Sequence, residues 1–517
     1  MKIVRAVLLC SSLALTACAI EEGVIDEGPP DIGDQSAEVN SAVKRGRDIW
    51  FNNTYGGETF FDFLAAHPDP SRRVTIGFVN VALTPRSVRF QTWGTINDPD
   101  CVANPTGGYD ICDDPNASGV VGIRKFERPP DPDTPAGTPP QFGVACASCH
   151  AGFDPNNPPA DPNEPEWDNI HATIGNQYLD SGAIFAVNMA ATDPRRFMFA
   201  GWAKGTVDTS LLFGDDIMNP GVMTAFWNHK FRPTFDIGGD EEEIRRGQDG
   251  LDDKGGDFGA RRVYTNIGAC FFECSLPAVL TNTPINIAAC ENTCADWPPD
   301  QDMSDLGAFL DSHTAPRFPD DTKDEALYDQ GKTLFDANCA GCHENSGAST
   351  QILSDDEISI LATDPVQAPH NCRALLTNGL DGKIWAEFTS PVYKQRRADG
   401  LHGFRTIPLV GVWSTAPFFH NQSIGRVADA TDGYAGRRAA YEDSMDELLS
   451  ATRPPKVNVL PVALGPFPAG TPLELVFSRD AAGTLLCSDY VQNKGHYFGT
   501  SLSAAEKDAI KHYVLFQ

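Results

Sequence analysis

The sequence predicts a mainly α protein with extensive irregular loops, divided into two domains. The chain has 517 residues, 41% of them hydrophobic, so it is long enough to bury more than one core. Its 46 glycines and 39 prolines are too many for a chain of long uninterrupted helices, and they indicate loops between shorter elements. Between Glu325 and Phe335 apolar residues recur at helical spacing, which predicts that the second domain starts there.

The first 18 residues have the pattern of a bacterial lipoprotein signal. Lys2 and Arg5 precede an apolar run at positions 6–15, and the run leads into a lipobox-like Leu-Thr-Ala-Cys that ends at Cys18. The alternative is an ordinary signal peptide with an incidental cysteine. The small residue before Cys18 and the acidic, Pro/Gly-rich stretch after it favour lipidation at Cys18.

This signal predicts the location of the protein. No other stretch is apolar for long enough to span a bilayer, so we expect membrane attachment by the lipid anchor only. The protein would lie in the oxidising bacterial cell envelope. Ala19 resembles the sorting signal of outer-membrane lipoproteins, which implies a position facing the periplasm or the exterior.

The rest of the chain is divided by composition and spacing. Residues 19–40 form a polar linker, and a helix interrupted by Gly56 and Gly57 starts the N-terminal domain of residues 41–320. Loop-rich extensions of this domain include the Pro-dense stretches 129–140 and 154–165. A boundary near 316–321 precedes the C-terminal domain of residues 321–517, which ends in a helix whose start at 502–506 resembles a capping box.

Two Cys-x-x-Cys-His motifs carry the strongest chemical signal. They comprise Cys146, Cys149 and His150 in the first and Cys339, Cys342 and His343 in the second. Each supplies two thiols spaced to form thioethers with one porphyrin and a histidine that reaches the iron. One copy could be a disulfide or zinc half-site with a chance histidine. Two copies in an exported chain predict two covalently bound haem c groups and two cytochrome-c-like haem domains.

Eight cysteines remain once those of the signal, the lipid site and the two motifs are set aside. In an exported protein we expect them to form disulfides. Their positions suggest a short loop closed by Cys101 and Cys112, two helical C-x3-C turns stapled by Cys270–Cys294 and Cys274–Cys290, and a last pair of Cys372 with Cys487. A four-cysteine metal site is the alternative for the two C-x3-C units.

The sixth ligand of each iron decides the function, because a filled position makes an electron relay and an open one binds oxygen or peroxide. Nine further histidines, together with Met303 and Met445, are available as ligands. We assign His496 to the second haem because it follows a glycine in a turn close to Cys487. His171 follows the first motif and could block the first iron.

Several segments resemble the di-haem cytochrome c peroxidase superfamily, and more narrowly its long branch of di-haem rubber oxygenases and related fatty-acid dioxygenases. They are Ser41–Trp50, Trp93–Cys101, Thr406–Ser423, with its Ala-Pro-Phe-Phe-His ending at His420, and Gly495–Gly499, in addition to the two haem motifs. The resemblance covers residues 41–517. It implies that the first haem is the reactive centre and that the second, held by His343 and His496, is the electron-transfer partner.

The resemblance also implies roles for other residues. The region 264–272 resembles the family segment on the distal side of the first haem, where Phe271 and Phe272 would exclude water beside the iron. The alternative is that both rings pack the cysteine-stapled hairpin. His420 would lie near the second haem in a supporting role and is an alternative ligand. The sequence does not place the tryptophan that some members have between the haems.

The sequence therefore predicts an exported di-haem oxidoreductase that activates dioxygen or peroxide at the first haem and uses the second as an electron-transfer centre. Its partners would be a redox partner or a small-molecule oxidant, with a hydrophobic substrate as a further possibility. The alternative is an electron-transfer cytochrome with both haems six-coordinate, and a protein with vestigial haems ranks last. The net charge of −30 argues against a nucleic-acid partner.

Overall fold

The structure is a computed structural model, and it describes the greater part of the chain. The described residues are 37–68, 70, 73–128, 137–207, 220–227, 235–236, 243–244, 267–274, 276–277, 290, 292–341, 343, 352–353, 404–405, 409–419, 421–477, 483, 485, 490–493 and 496–517. Cys18, the linker up to residue 36, Cys342, Cys372, His420 and Cys487 lie outside them. The predictions for lipidation and for the Cys372–Cys487 disulfide concern these residues.

Helices are the main regular structure of the described residues, as the sequence predicts. In chain order they are α1 (Ala37–Asn52), α2 (Gly57–Ala65), α3 (Phe78–Leu83), α4 (Arg86–Trp93), α5 (Ala147–His150), α6 (Ser181–Ala186), α7 (Arg195–Ala200), α8 (Asp300–Asp311), α9 (Glu325–Asn338), α10 (Gly433–Leu448), α11 (Leu473–Phe477) and α12 (Ala504–Leu515).

The strands are short and form small antiparallel sheets. They are β1 (Cys101–Val102), β2 (Ile111–Cys112), β3 (Ala117–Val120), β4 (Ile123–Phe126), β5 (Gln141–Val144), β6 (Gly152–Phe153), β7 (Ile170–His171), β8 (Thr206–Val207), β9 (Gly221–Val222), β10 (Phe235–Asp236), β11 (Glu243–Ile244), β12 (Ile352–Leu353) and β13 (Phe404–Arg405). β3, β4 and β5 form a three-stranded sheet, and the others pair two by two. Among the described residues the protein is thus mainly α with little sheet and much irregular structure.

The predicted break between α1 and α2 is present. Gly56 has φ = 76°, in the left-handed region, so that the chain turns before α2 begins. α1 packs against α8 at Gly46, where a Cβ atom would lie 2.0 Å from the carbonyl oxygen of Asp305. Arg45 forms an ion pair with the buried Asp305 carboxylate beside this contact. A small residue therefore fixes the close approach of two helices that are distant in sequence.

The apolar core consists of three main clusters. Cluster 1 surrounds Phe60, Phe142, Phe199 and Trp202 and includes Phe271, Leu460 and Leu473. Cluster 2 surrounds Trp50, Phe153, Phe226 and Leu306 and includes Ala147 and Tyr178. Cluster 3 surrounds Phe335, Trp413, Tyr441 and Tyr513.

The C-terminal region is held together by α9 and α12. Gly331 allows their contact, because a Cβ atom there would lie 2.0 Å from the carbonyl oxygen of Ala509. The predicted capping box is confirmed, with Ser503 and Glu506 each accepting a backbone N–H bond from the other. α9 delivers the chain to Cys339, the first residue of the second motif.

An arm of the C-terminal region, residues 458–477, packs on cluster 1. Leu460 and Leu473 are buried in that cluster, and Leu473 lies directly over Gly201. The Asn458 side chain donates a hydrogen bond to the Gly201 carbonyl at 2.8 Å. The main core of the N-terminal region is therefore completed by residues from beyond the second motif.

Three of the predicted disulfides are present. Cys101 pairs with Cys112, Cys270 with Cys294, and Cys274 with Cys290. Because Cys270, Cys274, Cys290 and Cys294 bond to one another, they do not form the alternative metal site. Each C-x3-C unit makes one helical turn, as Cys274 N–H bonds to Cys270 O and Cys294 N–H to Cys290 O.

In the part of the chain that the structure describes, no helix combines the length and the apolar character needed to cross a membrane.

Candidate functional site

The first Cys-x-x-Cys-His motif folds into one helical turn, α5, directly after strand β5. The backbone N–H groups of Cys149 and His150 both bond to the Cys146 carbonyl, at 3.2 and 3.0 Å. Gly122 lies behind this turn with φ = 71°, and a Cβ atom on it would lie 2.1 Å from the Ser148 nitrogen. The turn is thus seated against β4 by a position that accommodates only glycine.

The two cysteines of the first motif border different parts of the core. Cys146 packs against cluster 2 and Cys149 against cluster 1. The Ser148 hydroxyl lies 3.6 Å from the Cys149 sulfur, and burial raises the pKa of the Cys149 thiol. Two half-buried sulfurs that face adjoining apolar clusters suit a flat apolar ring system attached at both.

His150 is held as a neutral imidazole with one nitrogen already engaged. Its Nδ1 lies 2.8 Å from the carbonyl oxygen of Thr224, which can only accept a hydrogen bond, so Nδ1 carries the proton and Nε2 carries the lone pair. Burial lowers the pKa of His150 to about 4. A backbone carbonyl that orients the ring and sets its tautomer in this way is typical of metal-ligating histidines.

Two aromatic rings enclose the His150 imidazole. The Phe226 ring contacts it edge-on at a centroid distance of 4.6 Å, and the Trp50 ring lies at 6.1 Å. Trp50 is fully buried and donates a hydrogen bond from Nε1 to the Ala172 carbonyl at 2.7 Å. The histidine therefore has its orientation fixed by packing as well as by Thr224.

Phe271 and Phe272 belong to the same part of the core as Cys149, cluster 1. Phe271 is buried in cluster 1, against which Cys149 packs, and its ring centroid lies 4.9 Å from that of Phe60. Phe272 contacts Phe63 at 5.6 Å. Both rings also flank the Cys270–Cys294 disulfide, so packing of the hairpin and lining of an apolar pocket are compatible at this place.

The second motif brings the His343 ring close to the His496 ring. The His343 backbone N–H bonds to the Cys339 carbonyl at 2.9 Å, one helical turn as in the first motif. The centroids of the His343 and His496 rings lie 6.5 Å apart. Metal–imidazole bonds are about 2 Å long and the ring centre lies about 1 Å behind the nitrogen, so two imidazoles on opposite faces of one iron need roughly 6 Å between centres. The observed separation fits such a pair.

His496 has the backbone conformation, burial and hydrogen-bonding state that a metal-ligating histidine could have. Its backbone φ is 53°, in the left-handed region, so the chain is bent sharply there. Burial, followed by the proximity of His343, lowers its pKa to about 4. Its Nδ1 is buried and has no hydrogen-bond partner in the part of the chain that the structure describes, which is costly unless something else compensates for the lost hydration.

His171 does not fit its predicted alternative role as a ligand at the first motif. Its Nδ1 accepts a hydrogen bond from the Thr173 N–H at 3.3 Å, and its Nε2 lies 3.3 Å from the Thr314 carbonyl. With both ring nitrogens in backbone hydrogen bonds, His171 presents no lone pair to an iron. Met303 and Met445 are buried in clusters 2 and 3, and the alternative ligand His420 lies outside the described residues.

We expect His171 to make the protein sensitive to acid. Burial lowers its pKa to about 4 from the ordinary 6.5, with Asp154 acting in the opposite direction and His313 in the same one. Because the folded pKa is depressed, the contribution to stability is present above pH 6.5 and is lost as the pH falls towards 4. The melting temperature should therefore fall between pH 7 and pH 4.5, and it should fall less in His171→Gln. Equal pH dependence in the two proteins would contradict this role.

Trp227 links the residues around the first motif to a segment that leads towards the second. Trp227 follows Phe226, the ring that packs on His150, and its Nε1 donates to the Val410 carbonyl at 3.1 Å. A Cβ atom on the neighbouring Gly411 would lie 3.0 Å from the Trp227 ring. The segment that begins at Val410 continues to Phe419, whose ring lies 6.4 Å from His496. Sequence reasoning missed this contact because nothing in the spacing links residue 227 to residue 410.

Thr224 is the other site residue that the sequence does not reveal. It acts through its backbone carbonyl, and any residue type could supply that oxygen. Among the described residues, no group of three or more histidine, cysteine or acidic side chains is arranged to hold a metal ion. No model of a known protein family matches the chain, and no curated protein matches its sequence.

Proposed function

We propose that this chain is an exported di-haem c-type cytochrome with two cytochrome-c-like haem domains. It would be an oxidoreductase that activates dioxygen or peroxide at the haem held by Cys146, Cys149 and His150. The haem held by Cys339, Cys342, His343 and His496 would be its electron-transfer centre. The observation that carries the proposal is a difference between the two sites among the described residues: the His343 ring lies 6.5 Å from the His496 ring, whereas the ring contacts of His150 include no second histidine.

The second site supports a relay. The ring centroids of His343 and His496 lie 6.5 Å apart, and the buried Nδ1 of His496 has no hydrogen-bond partner among the described residues. Two histidine ligands would leave no position for an external molecule. A site of this kind stores and passes single electrons.

The first site supports a reaction centre. Among the described residues, the ring contacts of His150 are with Trp50 and Phe226 rather than with a second histidine. A haem held by Cys146, Cys149 and His150 would supply one-electron chemistry and a place for dioxygen or peroxide. The chain's own contribution is to fix the His150 ring through Thr224 and to surround the Cys149 side with apolar rings that exclude water.

The apolar surroundings also bear on the substrate. Phe60, Phe63, Phe271 and Phe272 form a connected group of rings beside the cluster that Cys149 borders. A pocket bordered by such rings would take a hydrophobic substrate more readily than a charged one. Electrons from a redox partner would reach this site through the second haem, with Trp227 and Val410 at the contact between the two regions.

A haem assay combined with spectroscopy tests the proposal. The purified protein should contain two thioether-linked haems by pyridine haemochrome, and Cys339→Ala with Cys342→Ala should remove one. Optical and paramagnetic-resonance spectra should show one low-spin haem and one that responds to cyanide or imidazole.

The same spectra separate the proposal from its rival. If both haems stay low-spin and neither responds to cyanide, peroxide or oxygen, the protein is an electron-transfer cytochrome with both irons six-coordinate. Fewer than two covalent haems in the wild type would overturn the haem assignment itself.

We also propose that the protein is attached to the bacterial envelope through a lipid on Cys18. The matched test is Cys18→Ser, which should move the protein from the membrane fraction to the soluble fraction of the envelope. Cys10→Ser, which changes a cysteine within the apolar run of the signal, is the control and should leave the protein with the membranes. Continued membrane association of the Cys18→Ser variant would argue against a lipid anchor.

A further inference from the structure

A buried arginine and a buried tyrosine lie together where α10 meets the N-terminal region. The Arg437 side chain, 4% exposed, packs over the Tyr178 ring with its Cζ atom 5.3 Å from the ring centroid. Arg437 donates hydrogen bonds from Nη1 to the side-chain oxygen of Gln177 and to the Ser414 carbonyl, the latter at 3.0 Å. Both acceptors are neutral.

The two groups have different deficits. No carboxylate among the described residues forms an ion pair with Arg437, although a buried cation normally has an anionic partner. The Tyr178 hydroxyl is buried and has no hydrogen-bond partner among the described residues, although buried tyrosine hydroxyls usually find one. A hydroxyl without a partner beside a buried cation with neutral acceptors points to a ligand that supplies negatively charged oxygen.

The place of these residues connects them with the first Cys-x-x-Cys-His motif. Tyr178 belongs to cluster 2, against which Cys146 packs. Two residues earlier, the Asn176 backbone N–H bonds to the Cys149 carbonyl at 2.8 Å. The segment 176–178 thus runs from the motif to Arg437.

The two acidic side chains near Tyr178 are not the partners that Arg437 and the Tyr178 hydroxyl lack. Asp429 and Asp432 are close enough to act electrostatically on Tyr178. The Asp429 carboxylate accepts hydrogen bonds from the N–H and hydroxyl groups of Thr431. Asp432 precedes the first turn of α10. Neither carboxylate is hydrogen-bonded to the guanidinium or to the tyrosine hydroxyl.

We propose that Arg437 and Tyr178 form a carboxylate-binding site, and that its occupant is a propionate of the porphyrin attached at Cys146 and Cys149. This inference rests on the proposed function, because it requires a haem at the first motif. The guanidinium and the hydroxyl donate hydrogen bonds to the carboxylate oxygens. Arg437 comes from α10, so the first haem is bound in part by the C-terminal region.

The competing explanation is that Arg437 only cross-links the two regions through Gln177 and Ser414. The two explanations predict opposite effects for Tyr178→Phe. Removing a buried hydroxyl that has no partner leaves stability unchanged or raises it, whereas removing one that binds a carboxylate lowers stability.

The test compares Tyr178→Phe in two backgrounds by thermal unfolding. In the holoprotein the substitution should lower the melting temperature by about 2 to 4 °C. In the Cys146→Ala, Cys149→Ala background, which lacks the first haem, it should leave the melting temperature unchanged or raise it. An equal effect in both backgrounds overturns the proposal. The haem assay on the same wild-type preparation shows separately whether the proposed function holds.

A second measurement keeps the test decisive if the haem-free variant does not fold. Resonance Raman spectra of the holoprotein report the propionate bending mode of each haem. That mode should shift for one haem in Tyr178→Phe and in Arg437→Met, and Arg437→Lys should shift it less than Arg437→Met because lysine retains a charged donor. Unchanged propionate modes in all three variants overturn the proposal.

A free carboxylate from solution is the other ligand that could bind to Arg437 and Tyr178. Sodium octanoate added to the holoprotein should not raise the melting temperature if a propionate already fills the site. A rise that occurs in the wild type and is absent in Tyr178→Phe would show that the site binds an external carboxylate, and the assignment to the propionate would be wrong.

Discussion

Replacing His496 with alanine should convert the second haem from low spin to high spin without detaching it. The His496 ring lies 6.5 Å from that of His343 between centroids, and its buried Nδ1 lacks a partner among the described residues. The substitution would remove one of the two proposed histidine ligands, while Cys339, Cys342 and His343 would still hold the proposed haem. Paramagnetic resonance should then show the loss of the low-spin signal. In the wild type this signal should come from one of the two haems, about half of the total.

His512→Ala is the matched control for this prediction. His512 lies in the same C-terminal region, but its Nε2 accepts a hydrogen bond from the Asp324 N–H at 2.9 Å and so belongs to the contact with α9. Its loss should leave both spin states unchanged. If the His496→Ala spectrum also matches that of the wild type, the ligand is another histidine, and the alternative ligand His420 becomes the better assignment.

Arg89→Met should lower the free energy of unfolding by about 3 to 5 kcal/mol. Arg89 is completely buried and donates from Nη1 to Asp110 and Gly119 at 2.9 Å and to Asn97 at 2.6 Å. Its loss leaves the buried Asp110 carboxylate with Arg86 Nη1, 3.6 Å away, as its remaining cation. Urea or thermal unfolding measures the effect, and roughly 2 to 4 °C of melting temperature corresponds to each kcal/mol.

An exposed arginine provides the control for Arg89. Arg426 forms an ion pair with Asp443 in which both side chains are about half exposed, at 52% and 54%. Surface pairs of this kind contribute at most about 1 kcal/mol, so Arg426→Met should have a small effect. Equal effects of the two substitutions would mean that burial of Arg89 is not what makes it important. Because Gly119 precedes the β3–β4 turn that seats α5, Arg89→Met should also loosen the first motif.

The elements that the sequence predicts well are those with local causes. The break at Gly56, the helix over 325–338 and the capping box at Ser503 each depend on residues within a few positions of one another. The Cys101–Cys112 and paired C-x3-C disulfides are also short-range, with separations of 11, 24 and 16 residues. Local propensity and spacing are sufficient for such features.

The arrangement of the candidate sites depends on contacts that no local pattern encodes. His150 is oriented by the carbonyl of a residue 74 positions later, and Arg437 meets Gln177 across 260 positions. Backbone acceptors have no sequence signature, and long-range partners are chosen by packing of the whole chain. The choice of His496 opposite His343 depended on a resemblance and on the glycine turn, and the separation of the two rings supports it.

The arm of residues 458–477 has a consequence for how the protein is made. Leu460 and Leu473 belong to the same cluster that Cys149 borders, although they follow it by about 300 residues of chain. During synthesis, cluster 1 remains open until residues 458–477 have been added, because long-range contacts form only after the chain between them is present. The Cys149 side of the first motif therefore stays accessible for most of that time, and packing of the arm then closes the cluster.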